Sequence, residues 1–472
     1  MKNVIRYIAL WSIWWLPVLA AGELRIIVTS DIHGELGNFA VLAPAIRAAA
    51  EEKPSLIVDL GDTVPGTFYS EYAENSTGMA EALNRAGAEL WVPGNHDFEL
   101  APESFRDFVR RFKGAALGGD WSFAGVSGRP FVVVERGGVR CAVIGLTDPK
   151  MPFRVLPGSD MTFRSPDAVL DELLPRINAA RPHVVVLAWH NGLYSGVADP
   201  RTLLRRHPGI GVVLGGHSHQ EHPGVRLGGG VLYVQPGAYG RAAGVIDIVT
   251  DDLYDRVDHI TSRLIRGDPR APDLGLAAFK RRLKSGCNGL RSRRLGSFPP
   301  ARSRVLQAGS LCAEALRGAA LADASVIWLD AEVPEFRQPG ELTAGDLYAL
   351  LPHRDAPCTL TVTRDELTAF VAEHEQQLRR RKRQRMLFGA GIQIRRRPDG
   401  GTSHIDAPER FTLAVSEYLI AESRVLRPLV DLPERNFRRI GGNERDLIAD
   451  YLYRHRKYKN TKQNHFVKDT TR

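Results

Sequence analysis

The chain has 472 residues, 43% of them hydrophobic and 25% charged, an ordinary globular composition in a length at which a single core stops growing, so two domains are expected. Its net charge of +9 and pI near 9.4 come mostly from two runs, Arg379 to Arg397 and Arg454 to Arg472. The rest is net negative, which excludes a basic platform for specific nucleic-acid binding and leaves the two runs as solvated segments or weak contacts with an anionic surface.

Lys2 and Arg6 precede an apolar run from Ile8 to Leu19, and Ala20-Ala21-Gly22 supplies small residues for cleavage. This pattern predicts a signal peptide over residues 1–22 and a periplasmic or secreted protein. No later run is long and apolar enough to span a bilayer. Export permits disulfides, yet Cys141, Cys287, Cys312 and Cys358 form no dense framework. Cys141 reads as a small core residue, and Cys287 with Cys312 is a permitted pair.

Five short apolar runs then end in polar residues. Leu24 to Val28 leads into Asp31-Ile32-His33-Gly34, and Leu56 to Val58 into Asp59-Leu60-Gly61-Asp62. Leu90 to Val92 leads into Gly94-Asn95-His96-Asp97-Phe98-Glu99, Val184 to Ala188 into Trp189-His190, and Val212 to Leu214 into Gly215-Gly216-His217-Ser218-His219. Continuous rather than alternating runs predict strands buried on both faces, with helices between them. Ser165-Pro166 and Asp199-Pro200 are helix starts, each a capping side chain followed by proline.

The first domain, residues 23–250, is therefore α/β, and ligands in such folds gather at the carboxyl ends of strands. Asp31, His33, Asp62, Asn95, His96, His190, His217 and His219 all fall at that edge. Carboxylate, amide oxygen and imidazole without thiolate suit Mn, Zn, Fe or Co. Eight such groups are too many for one tetrahedral ion. Two ions about 3.5 to 4 Å apart, bridged by a carboxylate, use them fully, an arrangement suited to displacement at phosphorus.

Residues 251–285 are punctuated by Gly267, Pro269 and Pro272 and read as a linker with one helix, Leu274 to Leu283, capped by Asp273. A second domain is expected over 286–450, and a basic tail over 451–472.

The ordered set Asp-x-His-Gly, Gly-Asp, Gly-Asn-His, a lone His after a strand, and Gly-His-x-His resembles the calcineurin-like metallophosphoesterases. More narrowly, Asp59-Leu60-Gly61-Asp62, Gly94 to Glu99 and Leu214 to Gln220 are similar to the secreted 5′-nucleotidases. Leu311 to Arg317, Gly345 to Pro352 and Arg364 to Leu367 resemble parts of the nucleotidase C-terminal domain. The resemblance implies a four-layer α/β/β/α sandwich, followed by a second α/β domain. It implies that Asp31, His33, Asp62 and His219 hold one ion, that Asp62, Asn95, His190 and His217 hold the other, and that Asp62 bridges. It also implies that His96 steadies the transition state or protonates the leaving oxygen.

The family usually pairs that histidine with an aspartate three residues on. Here the position is Glu99, with Asp97 the nearer acid in sequence. The glycine-rich, Arg-bearing loop of the family is replaced by Asp330-Ala331-Glu332-Val333, and the late Gly-Gly-Asp-Gly loop is missing after Ser416-Glu417-Tyr418. Phe388 and Tyr418 are the aromatics left to stack on a base. The expectation is a monomeric, exported, dinuclear phosphoesterase acting on nucleotides or related small phosphate esters. A cyclic-nucleotide phosphodiesterase, another small-ester hydrolase or a hydrolase of sulfur-linked esters fits the same cage. From a different class, a metal-bearing envelope-binding module without turnover is the alternative.

Overall fold

A computed structural model describes residues 21–72, 77–194, 198–251, 256–297, 304–330, 341–381, 385–395 and 404–455. The expected signal peptide over its first twenty residues, the basic tail beyond residue 455, residues 382–384 and 396–397 of the basic run and the loop at 331–340 lie outside the described residues.

Two six-stranded sheets stack face to face in the first domain. One runs, in spatial order, Arg256–Ile265, Ala243–Asp251, Glu23–Thr29, Ser55–Asp59, Leu90–Trp91 and Ala115–Ala116. The other runs Glu221–Arg226, Leu232–Pro236, Val212–Gly215, Val184–Trp189, Val139–Leu146 and Phe131–Arg136. The centre of each is parallel. Alternation along each strand explains why the apolar runs are continuous. Ile26 and Val28 point into the gap between sheets, where they meet Val143, Val186 and Val212, whereas Ile27 points outward to Phe39 and Ile46 of the helix Leu36–Glu51. On the far side, Ile144 and Leu187 pack beneath Leu173 and Ile177 of the helix Pro166–Ala179. The result is four layers, α/β/β/α, with both faces of both sheets covered.

Caps fix where the helices begin. Ser165 accepts a hydrogen bond from Ala168 N, Asp199 from Arg201 N and Asp273 from Leu276 N. Each satisfies an amide that the first helical turn leaves unpaired, a contribution of about 1 kcal/mol.

The stretch expected as a linker belongs to the first domain. Arg256–Ile265 is the edge strand of the first sheet, paired antiparallel with Ala243–Asp251, so a boundary at residue 250 would cut a β-hairpin. Its outer position leaves most of its side chains at least partly exposed, which weakens the apolar signal in the sequence. The helix Leu274–Gly286 buries Leu276 and Leu283 in the same cluster as Phe39 and Ile46.

The second domain is a five-stranded sheet in the order Arg385–Ala390, Ala324–Asp330, Arg410–Ser416, Pro357–Thr363 and Arg438–Arg439. Ile327 and Leu329 face Cys312, Leu316, Ile448 and Leu452 of the helices Arg304–Ala319 and Glu444–Arg454. Val326 and Leu360 face Phe370 and Val371 of the helix Arg364–Arg381. All four cysteines are buried and unpaired. Among the described residues no helix is long and apolar enough to cross a membrane.

A buried polar knot joins the domains. Arg445, 2% exposed, pairs with Glu71 of the short helix Phe68–Tyr72 and donates to the carbonyl oxygens of Leu351 and Pro352 at 3.0 and 3.2 Å. Tyr348 donates to Glu71 at 2.5 Å, and Tyr72 donates to Asp446 at 2.6 Å. Every charge in this set that is withdrawn from water has a partner, the condition for burying it.

Candidate metal centre and catalytic dyad

Hydrogen bonding between the strand-end loops continues where the strands stop. Asp31 N donates to Gly61 O, His33 N to Asp62 O and Gly34 N to Thr63 O, all at 2.8 to 2.9 Å. The first two loops therefore run side by side and hold Asp31, His33 and Asp62 together. Gly94 lets the third loop close in, since a Cβ there would lie 2.2 Å from Asp62 Oδ1.

The functional side chains form two trios around Asp31 and Asp62, with His96, Glu99 and His353 a third group beside them. Ligand atoms of Asp31, His33 and His219 lie within 4.8 Å of one another, as do those of Asp62, His190 and His217. Asp62 Oδ2 reaches toward both, 3.3 Å from His190 Nε2 and 3.8 Å from His33 Nε2. Asn95 Oδ1 stands 2.9 Å from His217 Nδ1, beside the second trio. Five of these positions, Asp31, His33, Asp62, His217 and His219, have φ between 49° and 68°. That left-handed region is uncommon for residues other than glycine, and its concentration here marks a backbone shaped for the site.

The histidines are aimed from behind. His33 Nδ1 donates to Pro65 O at 2.9 Å and His190 Nδ1 to Leu60 O at 2.5 Å. With these tautomers fixed, each Nε2 turns a lone pair toward the carboxylates, as metal-binding imidazoles do. His33 Nε2 then faces His219 Nε2 at 3.0 Å, and His190 Nε2 is fully buried, 3.3 Å from Asp62 Oδ2 without a well-formed hydrogen bond. A buried nitrogen whose hydrogen bond is poorly formed is costly. A cation between these nitrogens and carboxylates removes that cost.

Electrostatics point the same way. Burial works against charge at His190, but the charge of Asp62 and then Asp31 outweighs it and raises the imidazole to about 10. The carboxyl of Asp62, despite burial and chiefly through His190, is held well below its usual range. The site thus favours positive charge between its donors. Oxygen and nitrogen donors without sulfur, in two adjoining groups, fit two divalent ions of the Mn, Zn, Fe or Co kind.

Beside the cage His96 Nδ1 contacts Glu99 Oε1 at 2.5 Å. Burial disfavours both charges, yet their mutual attraction holds Glu99 below and His96 above the ordinary range. Asp97 is otherwise engaged. Its two oxygens accept from Thr63 N, Val64 N and Gly94 N at 3.1, 3.3 and 2.9 Å, which ties two ligand loops together. Glu99→Gln is therefore expected to lower kcat by about 10- to 100-fold, the scale for losing a group that orients an imidazole. Asp97→Asn, measured alongside, is expected to cost metal retention and thermal stability first. The reverse pattern would transfer the dyad to Asp97.

The aromatics expected to hold a base are remote from this role. Phe388 is 1% exposed, packed among Ile327, Leu316 and Ile448, so it is a core residue and not a stacking surface. Tyr418 lines a small second-domain pocket with Trp328, Phe370, Glu373 and His374, and Arg154 lies over its ring at 5.6 Å.

Two features of the site escaped the sequence reading. Tyr239, at φ 61°, lies beside His33 and His219 with ring centroids 5.6 and 5.1 Å away, and its N–H donates to Asp31 O at 2.7 Å. The loop holding His353 and Arg354 reaches Glu99 from the second domain. The only hint in the sequence was that this loop directly follows the Gly345 to Pro352 segment.

Residues 24–221 match the calcineurin-like phosphoesterase family. The 5′-nucleotidase of Rattus norvegicus is 24% identical over 288 residues, covering 52% of this chain and 49% of the relative. The chain thus spans about half the length of that relative. A 5′-nucleotidase precursor from Thermus thermophilus shares the fold at a TM-score of 0.65 and 19% identity, over 92% of this chain and 96% of the other. The NAD nucleotidase of Haemophilus influenzae shares it at 0.60 and 15% identity, over 92% and 97%.

Proposed function

From a first domain that is a calcineurin-like phosphoesterase, we propose that the protein hydrolyses small phosphomonoesters, with nucleotides the leading substrate class. The observation that carries this reading is the His96–Glu99 pair set against two metal-type trios. A pure binding module has no use for a polarised imidazole at that position. Asp31, His33, Asp62 and His219 would hold one ion, and Asp62, Asn95, His190 and His217 the other. Two divalent ions so held supply Lewis acidity and charge neutralisation for in-line displacement at phosphorus.

The chain's own groups account for the remainder. Glu99 occupies Nδ1 of His96, which leaves Nε2 to deliver a proton to the leaving oxygen as the P–O bond breaks. The carbonyls of Pro65 and Leu60 keep His33 and His190 in the tautomers that face the phosphate end of the site. The relatives named 5′-nucleotidase and the nucleotidase-type second domain favour nucleotides within the ester class. Residues 1–22 carry a signal-peptide pattern, and we place the mature protein outside the cytoplasm.

The test is a screen of phosphomonoesters, cyclic nucleotides and dinucleotides with Mn or Zn, and with chelator. Turnover of 5′-mononucleotides that chelator abolishes is the expected result, and metal-independent or undetectable turnover would sink the reading. Discrimination among bases should be weak, because Phe388 is buried and the late glycine-rich loop is missing. Relative kcat/KM for adenine, guanine and pyrimidine nucleotides is expected within about tenfold, or about 1.4 kcal/mol of differential binding in the transition state. A hundredfold preference for one base would reveal a nucleoside clamp.

A further inference from the structure

We propose that His353, contributed by the second domain, is a positioning residue for the proton donor His96. The inference rests on the phosphoesterase reading above and adds a residue to it. Glu99 has two oxygens, and they face different domains. Oε1 meets His96 Nδ1, while Oε2 accepts the backbone N–H of Arg354 at 3.1 Å. His353 Nδ1 is 3.8 Å from Glu99 Oε1, and its ring lies almost parallel to that of His96, 12° between planes and 5.1 Å between centroids. On another side His96 meets the ring edge of His33, at 5.5 Å and 64°.

These contacts restrict different freedoms of one imidazole. Glu99 fixes its tautomer and pulls on Nδ1, but a single hydrogen bond leaves the ring free to rock about the Cβ–Cγ bond. A parallel ring against its face opposes that rocking, so Nε2 keeps one direction. Positional error of an ångström in a reacting group is costly in rate. His353 is partly exposed, its side chain 44% accessible, and is attached to the Arg354 amide that orients the other Glu99 oxygen. It therefore acts on proton delivery, grouped with His96 and Glu99 and apart from the trios built on Asp31 and Asp62.

Proton delivery matters in proportion to the basicity of the leaving oxygen. When the P–O bond of a nucleoside 5′-monophosphate breaks, the nucleoside departs as a basic 5′-alkoxide that needs the proton, whereas p-nitrophenyl phosphate releases a stable p-nitrophenolate that hardly does. The experiment compares both esters on full-length wild type, His353→Ala and His353→Phe, with metal content measured on each. His353→Ala is expected to lower kcat about tenfold on the nucleotide, within the scale for orienting groups, with KM and bound metal unchanged. The loss on p-nitrophenyl phosphate should be less than about twofold. His353→Phe keeps a flat ring and should recover most of the nucleotide rate.

Equal losses on the two esters would overturn the proposal. So would a rise in KM with kcat intact, which would make His353 a substrate contact, or a fall in metal content, which would make it a ligand. A Phe variant no better than Ala would overturn it as well. A wild type inactive on both esters would defeat the reading of the site and this inference together, whereas an active wild type with any of those variant outcomes defeats the inference alone.

Discussion

Asp62→Asn is expected to abolish turnover and to leave fewer than two metal ions per chain. The two trios contain only two carboxylates, Asp31 and Asp62, to balance four positive charges. Asp62 reaches toward both groups, with Oδ2 near His190 and His33. Asparagine keeps the size of the side chain and an oxygen to accept from His96 N, a bond of 2.8 Å in the native protein. The fold should survive while the charge is lost, and at buried sites the loss of an anionic ligand is felt at full strength. Metal analysis on the dialysed variant decides the matter. Two ions retained at wild-type affinity would remove Asp62 from the bridging position.

His96→Asn should separate binding from chemistry. His96 stands next to Asn95 in sequence, yet it belongs to neither trio and its Nδ1 is taken by Glu99. Metal content is therefore expected to stay at the wild-type level. The turnover rate should fall by about 10²- to 10⁴-fold, the scale for a lost general acid. Depletion of metal instead would mean that His96 is a ligand and that the cage has been assigned one member short.

What the sequence disclosed was local. Each ligand motif follows its strand within a few residues, and a buried parallel strand announces itself as a continuous apolar run, so the strand ends and the groups on them could be read together. The edge strand Arg256–Ile265 reads as linker in the sequence because a strand covered on one side carries fewer apolar residues, and the neighbouring prolines and glycines then dominate the pattern. Phe388 reads as a base-stacking ring in the sequence for a related reason. Aromatic identity does not say which face of a strand a ring occupies, and the register of Phe388 opposite Ile327 turns it into the core. The contact of Arg354 with Glu99 spans 255 residues, and the pairing of Arg445 with Glu71 spans 374. Nothing in either local sequence names the partner, because such contacts depend on how two finished domains meet.

The left-handed backbone of the ligand positions has a price in folding. His219, at φ 59°, is the most exposed of the histidine ligands, with 36% of its side chain accessible. Holding a residue with a Cβ in that region costs about 1 to 2 kcal/mol, whereas glycine adopts it freely. A chain optimised only to fold would carry glycine at such a position, and directed evolution for heat resistance in the absence of metal would drift that way. Histidine stands there against the preference of the backbone. The strand-end loops are thus a place where stability and activity are traded directly, and stabilising substitutions sought in this protein belong on the outer helices, away from the loops that hold the ions.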